Sequence, residues 1–204
     1  MKIIPANLNR KNLHELVMGA IAPRPIALVS SVGEDKIFNL APFSCFAPLC
    51  LKPPLIGLHI AWRKDGQKKD TLKNVEFSKD FVVNVVNESL AKAMNQTSAE
   101  YPSNVDEFKE VGLTPINSEL VKAPRVAESP INMECKLVQI LEVGEVPTGG
   151  HIIIGEIVLI HLEDAFWTGD HEDMAKLRLI GRLGGEFYCR TIDIFEMERP
   201  YILD

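Results

Sequence analysis

The sequence predicts a mainly β protein built on a closed antiparallel barrel. Short strand-like runs separated by turn residues dominate the chain, two long runs alternate apolar and polar residues, and helical patterns are few and short. At 204 residues the chain fits one domain spanning 1–204, because single barrels reach roughly 200–250 residues.

The elements follow in order. An amphipathic pattern over 8–18 predicts a first helix. Pro25-Ile26-Ala27-Leu28-Val29-Ser30-Ser31 runs into Gly33-Glu34-Asp35, and Ile37-Phe38-Asn39-Leu40 follows at once, which reads as a hairpin. Pro54-Leu55-Ile56-Gly57-Leu58-His59-Ile60 and Asp80-Phe81-Val82-Val83-Asn84-Val85-Val86 read as buried strands. Between them Asp70-Thr71 opens a short helix with two good capping residues. A second short helix is predicted over 88–96 and a turn-like piece over 105–111. The long alternating strands are 131–143 and 151–162, joined at Pro147-Thr148-Gly149-Gly150. A last strand over 188–197 places Ile192, Ile194 and Glu196 on one face and Thr191, Asp193 and Phe195 on the other.

Composition narrows the function. Hydrophobic residues make up 46% and charged residues 25%, a globular balance. A net charge of −6, with no basic run to neutralise phosphates in series, argues against nucleic-acid binding. No apolar run approaches the ~20 residues of a membrane span, and Met1-Lys2-Ile3-Ile4-Pro5 lacks a signal-peptide core, so a cytoplasmic protein is expected. Cys45, Cys50, Cys135 and Cys189 lack CxxC spacing and read as small buried or half-buried hydrophobes. His151 and His161 share a strand face by parity but stand too far apart to share a metal ion. His171-Glu172-Asp173 reads as a polar loop, and Glu128, Asp164 and Asp170 as surface carboxylates. No metal site is expected.

Three segments could carry chemistry. In Asn39-Leu40-Ala41-Pro42-Phe43-Ser44-Cys45-Phe46 a strand runs into Ala-Pro, leaving amides outside the ladder; small side chains there would let a planar heteroaromatic ring approach. An ordinary bent strand has the same composition. In Trp62-Arg63-Lys64-Asp65-Gly66-Gln67-Lys68-Lys69-Asp70-Thr71 four cations precede a helix start, whose free N–H groups favour an anion. Arg63 could grip phosphate bidentately, a lysine could add a point charge and Thr71 a hydroxyl; a solvated charged loop is the plain alternative. The Walker pattern is absent, which disfavours an NTPase. Gly181-Arg182-Leu183-Gly184-Gly185-Glu186-Phe187-Tyr188 is glycine-rich without the dinucleotide fingerprint and reads alone as a flexible turn.

Taken in order, Pro23-Arg24-Pro25-Ile26-Ala27-Leu28-Val29-Ser30, Asn39-Leu40-Ala41-Pro42-Phe43-Ser44, Lys69-Asp70-Thr71-Leu72-Lys73-Asn74, Phe81-Val82-Val83-Asn84, Pro124-Arg125-Val126-Ala127-Glu128-Ser129-Pro130, Gly155-Glu156 and Gly181-Arg182-Leu183-Gly184-Gly185 resemble the flavin reductase-like domain family, which includes the flavoredoxins. The resemblance implies a six-stranded antiparallel Greek-key split β-barrel with a few short peripheral helices, usually a homodimer, with FMN near the subunit interface. It implies ring contacts at Asn39, Ala41, Pro42 and Ser44, and a phosphate stretch at Arg63, Lys69, Asp70 and Thr71. Further ligand-side positions fall at Asn84, Tyr188 and Arg190. The segment around Arg63 departs from the commoner Ser-x-x-Arg-Lys-Asp-Thr form by holding extra residues. The activity implied is electron transfer from NADH or NADPH to flavin, with no catalytic acid or base required beyond orientation. An FMN-containing carrier that exchanges electrons with a redox protein partner is the alternative.

Overall fold

The computed structural model describes residues 1–167 and 175–200; Asp170 and His171-Glu172-Asp173 lie outside the described residues. The main sheet has seven antiparallel strands in the order β2-β1-β5-β8-β9-β4-β3. These are β1 (Ala27–Val32), β2 (Phe38–Phe43), β3 (Phe46–Leu51), β4 (Pro54–Ala61), β5 (Asp80–Val85), β8 (Ile131–Val143) and β9 (Gly150–Leu162). Two short pairs stand beside it, β6 (Pro115–Ile116) with β7 (Arg125–Val126), and β10 (Ile180–Arg182) with β11 (Tyr188–Arg190). The two edge strands of the main sheet, β2 and β3, are joined directly through Ser44 and Cys45, so the chain itself closes the sheet into a barrel. Seven strands replace the expected six because the apolar run after Ser44 forms a strand of its own, β3, paired with β4.

Helices are few, as expected: α1 (Arg10–Ala20), α2 (Asp70–Ser78), α3 (Ala91–Gln96) and α4 (Glu107–Val111). The Asn9 side chain caps α1 by accepting from the Asn12 N–H at 2.9 Å, and Asp106 caps α4 in the same way through Phe108 at 3.1 Å. The final strand stops at Arg190; residues 191–200 form no ladder with the other described residues.

Strand β1 is buried on both faces, which explains its near-continuous apolar run. Ala27 and Val29 look into the barrel, where they pack with Phe43, Ile56, Leu58, Phe81 and Ile153; α2 plugs one end with Leu72 and Val75. Leu28, on the opposite face, joins Leu40, Met94, Phe108, Val126 and Ile180 in a second cluster under the short helices. Gly155 faces the barrel interior. A Cβ there would stand 2.5 Å from Cζ of the fully buried Phe81, so backbone and ring fit only because this position has no side chain.

A bulge breaks the parity of β9. Glu134 pairs with Leu159 but the next residue, Cys135, pairs with Ile157, so one residue is skipped and the strand turns over. His151 therefore packs inward against Trp62, ring centroids 4.5 Å apart, whereas His161 lies on the other face, 2.6 Å from Glu134. The shared face expected from parity does not survive the bulge. The cysteines divide as well: Cys135 is buried, whereas Cys45 and Cys50 are exposed beside the outer edge strand.

Glu134 has no exposed surface. Its carboxylate accepts from the amides of Glu119 at 2.8 Å and Leu120 at 2.6 Å, and meets His161, latching the 117–123 loop to β8. Burial pushes its pKa up, but the bonds from Glu119, His161 and Leu120 outweigh burial and hold the carboxyl below the ordinary range. A depressed folded pKa means the stabilisation is present above the unfolded value and is lost as pH falls through the folded one. Glu134→Gln should therefore melt earlier than the parent near pH 7, with the gap narrowing as pH falls below the ordinary carboxylate range in paired thermal melts.

Candidate functional site

A cleft opens where the end of β2, the start of α2 and the 97–101 segment meet. Asn39, Ala41 and Pro42 line it from β2; Arg63, Lys69, Asp70 and Thr71 line it from the loop after β4 and the first turn of α2; Glu107 closes its floor. A second hollow continues from it past Pro42 and Ser98 to Ser44, Met94, Arg182 and Tyr188. The two share Pro42 and Ser98, so together they make one elongated depression with chemically different ends.

The cationic end is assembled by a turn. The Arg63 N–H bonds the Gln67 carbonyl at 2.9 Å, and Gly66 bonds back to Arg63 at 3.0 Å with φ of +79°, a conformation suited to glycine. The extra residues at 64–68 are thus looped out, and Arg63 returns beside α2 to pair with Asp70. Lys73 approaches the same carboxylate at 3.0 Å, so the charge of Asp70 is doubly countered. Lys69 is the N-cap position of α2 and gives it no side-chain cap. Its ammonium stands 5.9 Å from the centre of the Phe43 ring and makes no ion pair among the described residues. Burial lowers its pKa, Glu100 opposes that and Arg63 adds to it. An anion in the cleft would relieve this cation, and although the Leu72 N–H bonds the Lys69 carbonyl at 3.0 Å, the Asp70 and Thr71 N–H groups before it lie at the open start of the helix.

Thr71 is 1% exposed, and its hydroxyl accepts from Asn39 Nδ2 at 2.9 Å; the same amide reaches Ser31 at 3.3 Å. This link fixes β2 against α2. On the free edge of β2, the Leu40 N–H donates to Glu107 Oε2 at 3.0 Å. Burial raises the pKa of Glu107, more than the bonds from Leu40 and from its own backbone lower it.

At the other end the Arg182 guanidinium stacks on the Tyr188 ring, 4.4 Å from its centre, and the Tyr188 hydroxyl lies 3.1 Å from Asn95 Oδ1. Arg24, buried to 7% exposure, ties this end together. It donates to the carbonyls of Met18, Ile21 and Leu183, and its Nε reaches Ser44 Oγ at 3.4 Å. Its backbone pairs in both directions with Arg182 at 2.9 Å. The Pro23-Arg24-Pro25 and Gly181-Arg182-Leu183 segments are therefore neighbours.

Of the positions singled out from sequence, Asn39, Ala41, Pro42, Arg63, Lys69, Asp70 and Thr71 meet in the cationic part, and Ser44 and Tyr188 in its continuation. Arg190 stands outside both. It borders a third hollow with Ala91 and Ile180, which adjoins the second through Met94 and Tyr188, and it pairs with Glu88, which also holds Arg178 at 2.8 Å. Asn84 is likewise elsewhere: it is wholly buried, donating to Leu28 O at 2.9 Å and Ser30 Oγ at 3.1 Å, and accepting from Val126 N and Asn132 Nδ2, each at 2.9 Å. Every polar atom of its side chain is used inside the fold. Glu107, Arg182 and the 97–101 segment line the depression without having been read from sequence as site residues; of these, only Arg182 carried a signal, its glycine-rich surroundings.

Residues 18–171 match the model of the flavin reductase like domain, and the chain belongs to that family. A protein of Aquifex aeolicus is 40% identical over 192 residues, covering 94% of this chain and 96% of its own. Among solved structures, nitrilotriacetate monooxygenase component B from Bacillus cereus is 34% identical with a TM-score of 0.92, covering 97% of this chain and 98% of that one. The 2-nitrobenzoate 2-nitroreductase NbaA of Pseudomonas fluorescens is 31% identical with a TM-score of 0.85, covering 100% and 98%. The fold is the family's split barrel, and the family and its oxidoreductase relatives support an oxidoreductase role with a flavin-related cofactor.

Proposed function

We propose that the chain is an FMN-binding oxidoreductase that passes electrons from NADH or NADPH to flavin, working as a homodimer. The observation that carries this reading is the half-buried Lys69 ammonium, without an ion pair among the described residues, at the open start of α2. It lies at one end of a depression whose other end is lined by Pro42, Ser44 and the Tyr188 ring. A ligand with a terminal phosphate and a flat heteroaromatic body matches both ends at once. Lys69, the α2 amides and Thr71 would hold the phosphate, while Arg63 holds Asp70 in place. Ala41 and Pro42 would let the ring lie close to the backbone, and Ser44 and the amides near it would read its polar edge. Bound flavin supplies the two-electron chemistry, and the protein orients it and shields it from water.

Equilibrium titration of the purified chain with FMN, followed by flavin fluorescence, tests the binding half of this reading. Saturable quenching with one FMN per chain is expected. Fluorescence that tracks free FMN throughout would remove the cofactor from the account.

A further inference from the structure

Two parts of the chain carry apolar residues that stay exposed among the described residues of a single copy. The first is the segment after Arg190. Residues 191–200 are all exposed and take no secondary structure, yet Ile192 and Ile194 repeat with strand period and are 59% and 65% exposed, while Phe195 and Met197 are each 82% exposed. The second is the far half of β8. Strand β5 pairs with β8 as far as Lys136, and the Leu137 N–H still bonds the Lys79 carbonyl at 2.9 Å; beyond Leu137 the outer edge of β8 has no ladder partner among the described residues. Val138 and Leu141 there are 53% and 40% exposed. A strand-patterned segment without a sheet and a sheet edge without a strand are complementary in chemistry.

We infer that residues 192–197 are an exchanged arm: they cross to a second copy of this chain and are covered there, with the free edge of β8 as the matching surface. The occupant is a second copy because arm and edge reside on one polypeptide, so a two-fold pair covers both arms reciprocally. Helix α1 points the same way. It is an 11-residue helix with no buried residue, with Leu16 47% and Ile21 60% exposed, and a helix of that length is marginal in water without packing. The arm leaves directly from β11, which carries Tyr188 into the flavin-sized depression. Dimerisation would thus brace that end of the site. The inference goes beyond the homodimer proposed above by naming the segment that makes it.

The test is sedimentation equilibrium without added flavin, on the full chain, on residues 1–191, and on a Phe195→Glu, Met197→Glu double variant. The full chain should be a dimer, and both altered forms should dissociate at concentrations at least about 100-fold higher. Their far-UV circular dichroism should match the parent, because the removed side chains are exposed in a single copy. Should residues 1–191 precipitate, the double variant alone decides. A dimer of undiminished strength in the altered forms overturns the arm and leaves the dimer standing. A monomeric full chain overturns both, while FMN titration of the same sample reads the cofactor separately.

Discussion

Replacing Lys69 and Thr71 together by alanine should weaken FMN binding by roughly 100-fold or more while changing riboflavin binding less than about threefold. The estimate follows from losing two charge-assisted interactions with a phosphate, each contributing about 1.5–3 kcal/mol. Riboflavin shares the ring and the ribityl chain and lacks the phosphate, so it isolates that end of the cleft. Lys69 stands over Phe43 without an ion pair among the described residues, so its removal leaves no carboxylate stranded. Thr71 is different, because its hydroxyl also accepts from Asn39. Thr71→Ser keeps that link and serves as the control: it should bind FMN nearly as the parent does. The check is a pair of fluorescence titrations, one with each flavin. Equal losses for both ligands would place the phosphate elsewhere.

Asn84→Ala should behave in the opposite way, costing stability and leaving the ligand alone. The substitution strands the Val126 N–H, takes from the Asn132 amide one of its two acceptors and leaves it only Val126 O, and removes the donor to Leu28 O and Ser30 Oγ. Buried groups left without partners cost about 1–3 kcal/mol each, so a loss of about 2–5 kcal/mol is expected in urea unfolding. FMN affinity of the protein still folded, measured well below the new midpoint, should match the parent within about threefold. A large loss of FMN affinity at unchanged stability would return Asn84 to the ligand side.

Much of the barrel was legible because strand periodicity and turn residues act locally. The spans of β8 and β9 were read to within a residue, and so was the start of α2 at Asp70, although its N-cap is Lys69, which gives no side-chain cap, rather than Asp70 or Thr71. What escaped depends on contacts distant in sequence. Strand β3 was missed because Ala47, Pro48 and Leu49 carry no alternation; its ladder with β4 comes from the turn at Lys52–Pro53. The shared face of His151 and His161 failed on one skipped residue in β9, which no local pattern announces. Residues 192–197 have strand periodicity but find no ladder among the described residues, so pattern predicted a strand where those residues provide no partner.

The site divides in the same manner. Asn39, Pro42 and Thr71 were readable because each sits where a strand or helix ends and backbone groups come free. Glu107 and Arg182 were not, since their place at the cleft is set by α4 packing on β2 and by the backbone pairing of Arg24 with Arg182. Asn84 is expected on the ligand side from its place near a strand end; the fold buries it with four internal hydrogen-bond partners that no local pattern announces.

The most direct measurement of the central claim is the visible spectrum of the FMN-loaded protein under anaerobic conditions, before and after NADH and then NADPH. Transfer of electrons from a pyridine nucleotide to flavin predicts that the oxidised-flavin bands bleach with at least one of the two. Bands that persist with both nucleotides and disappear only on adding dithionite would contradict the reductase reading, and would make the chain an electron carrier that takes its electrons from a protein partner.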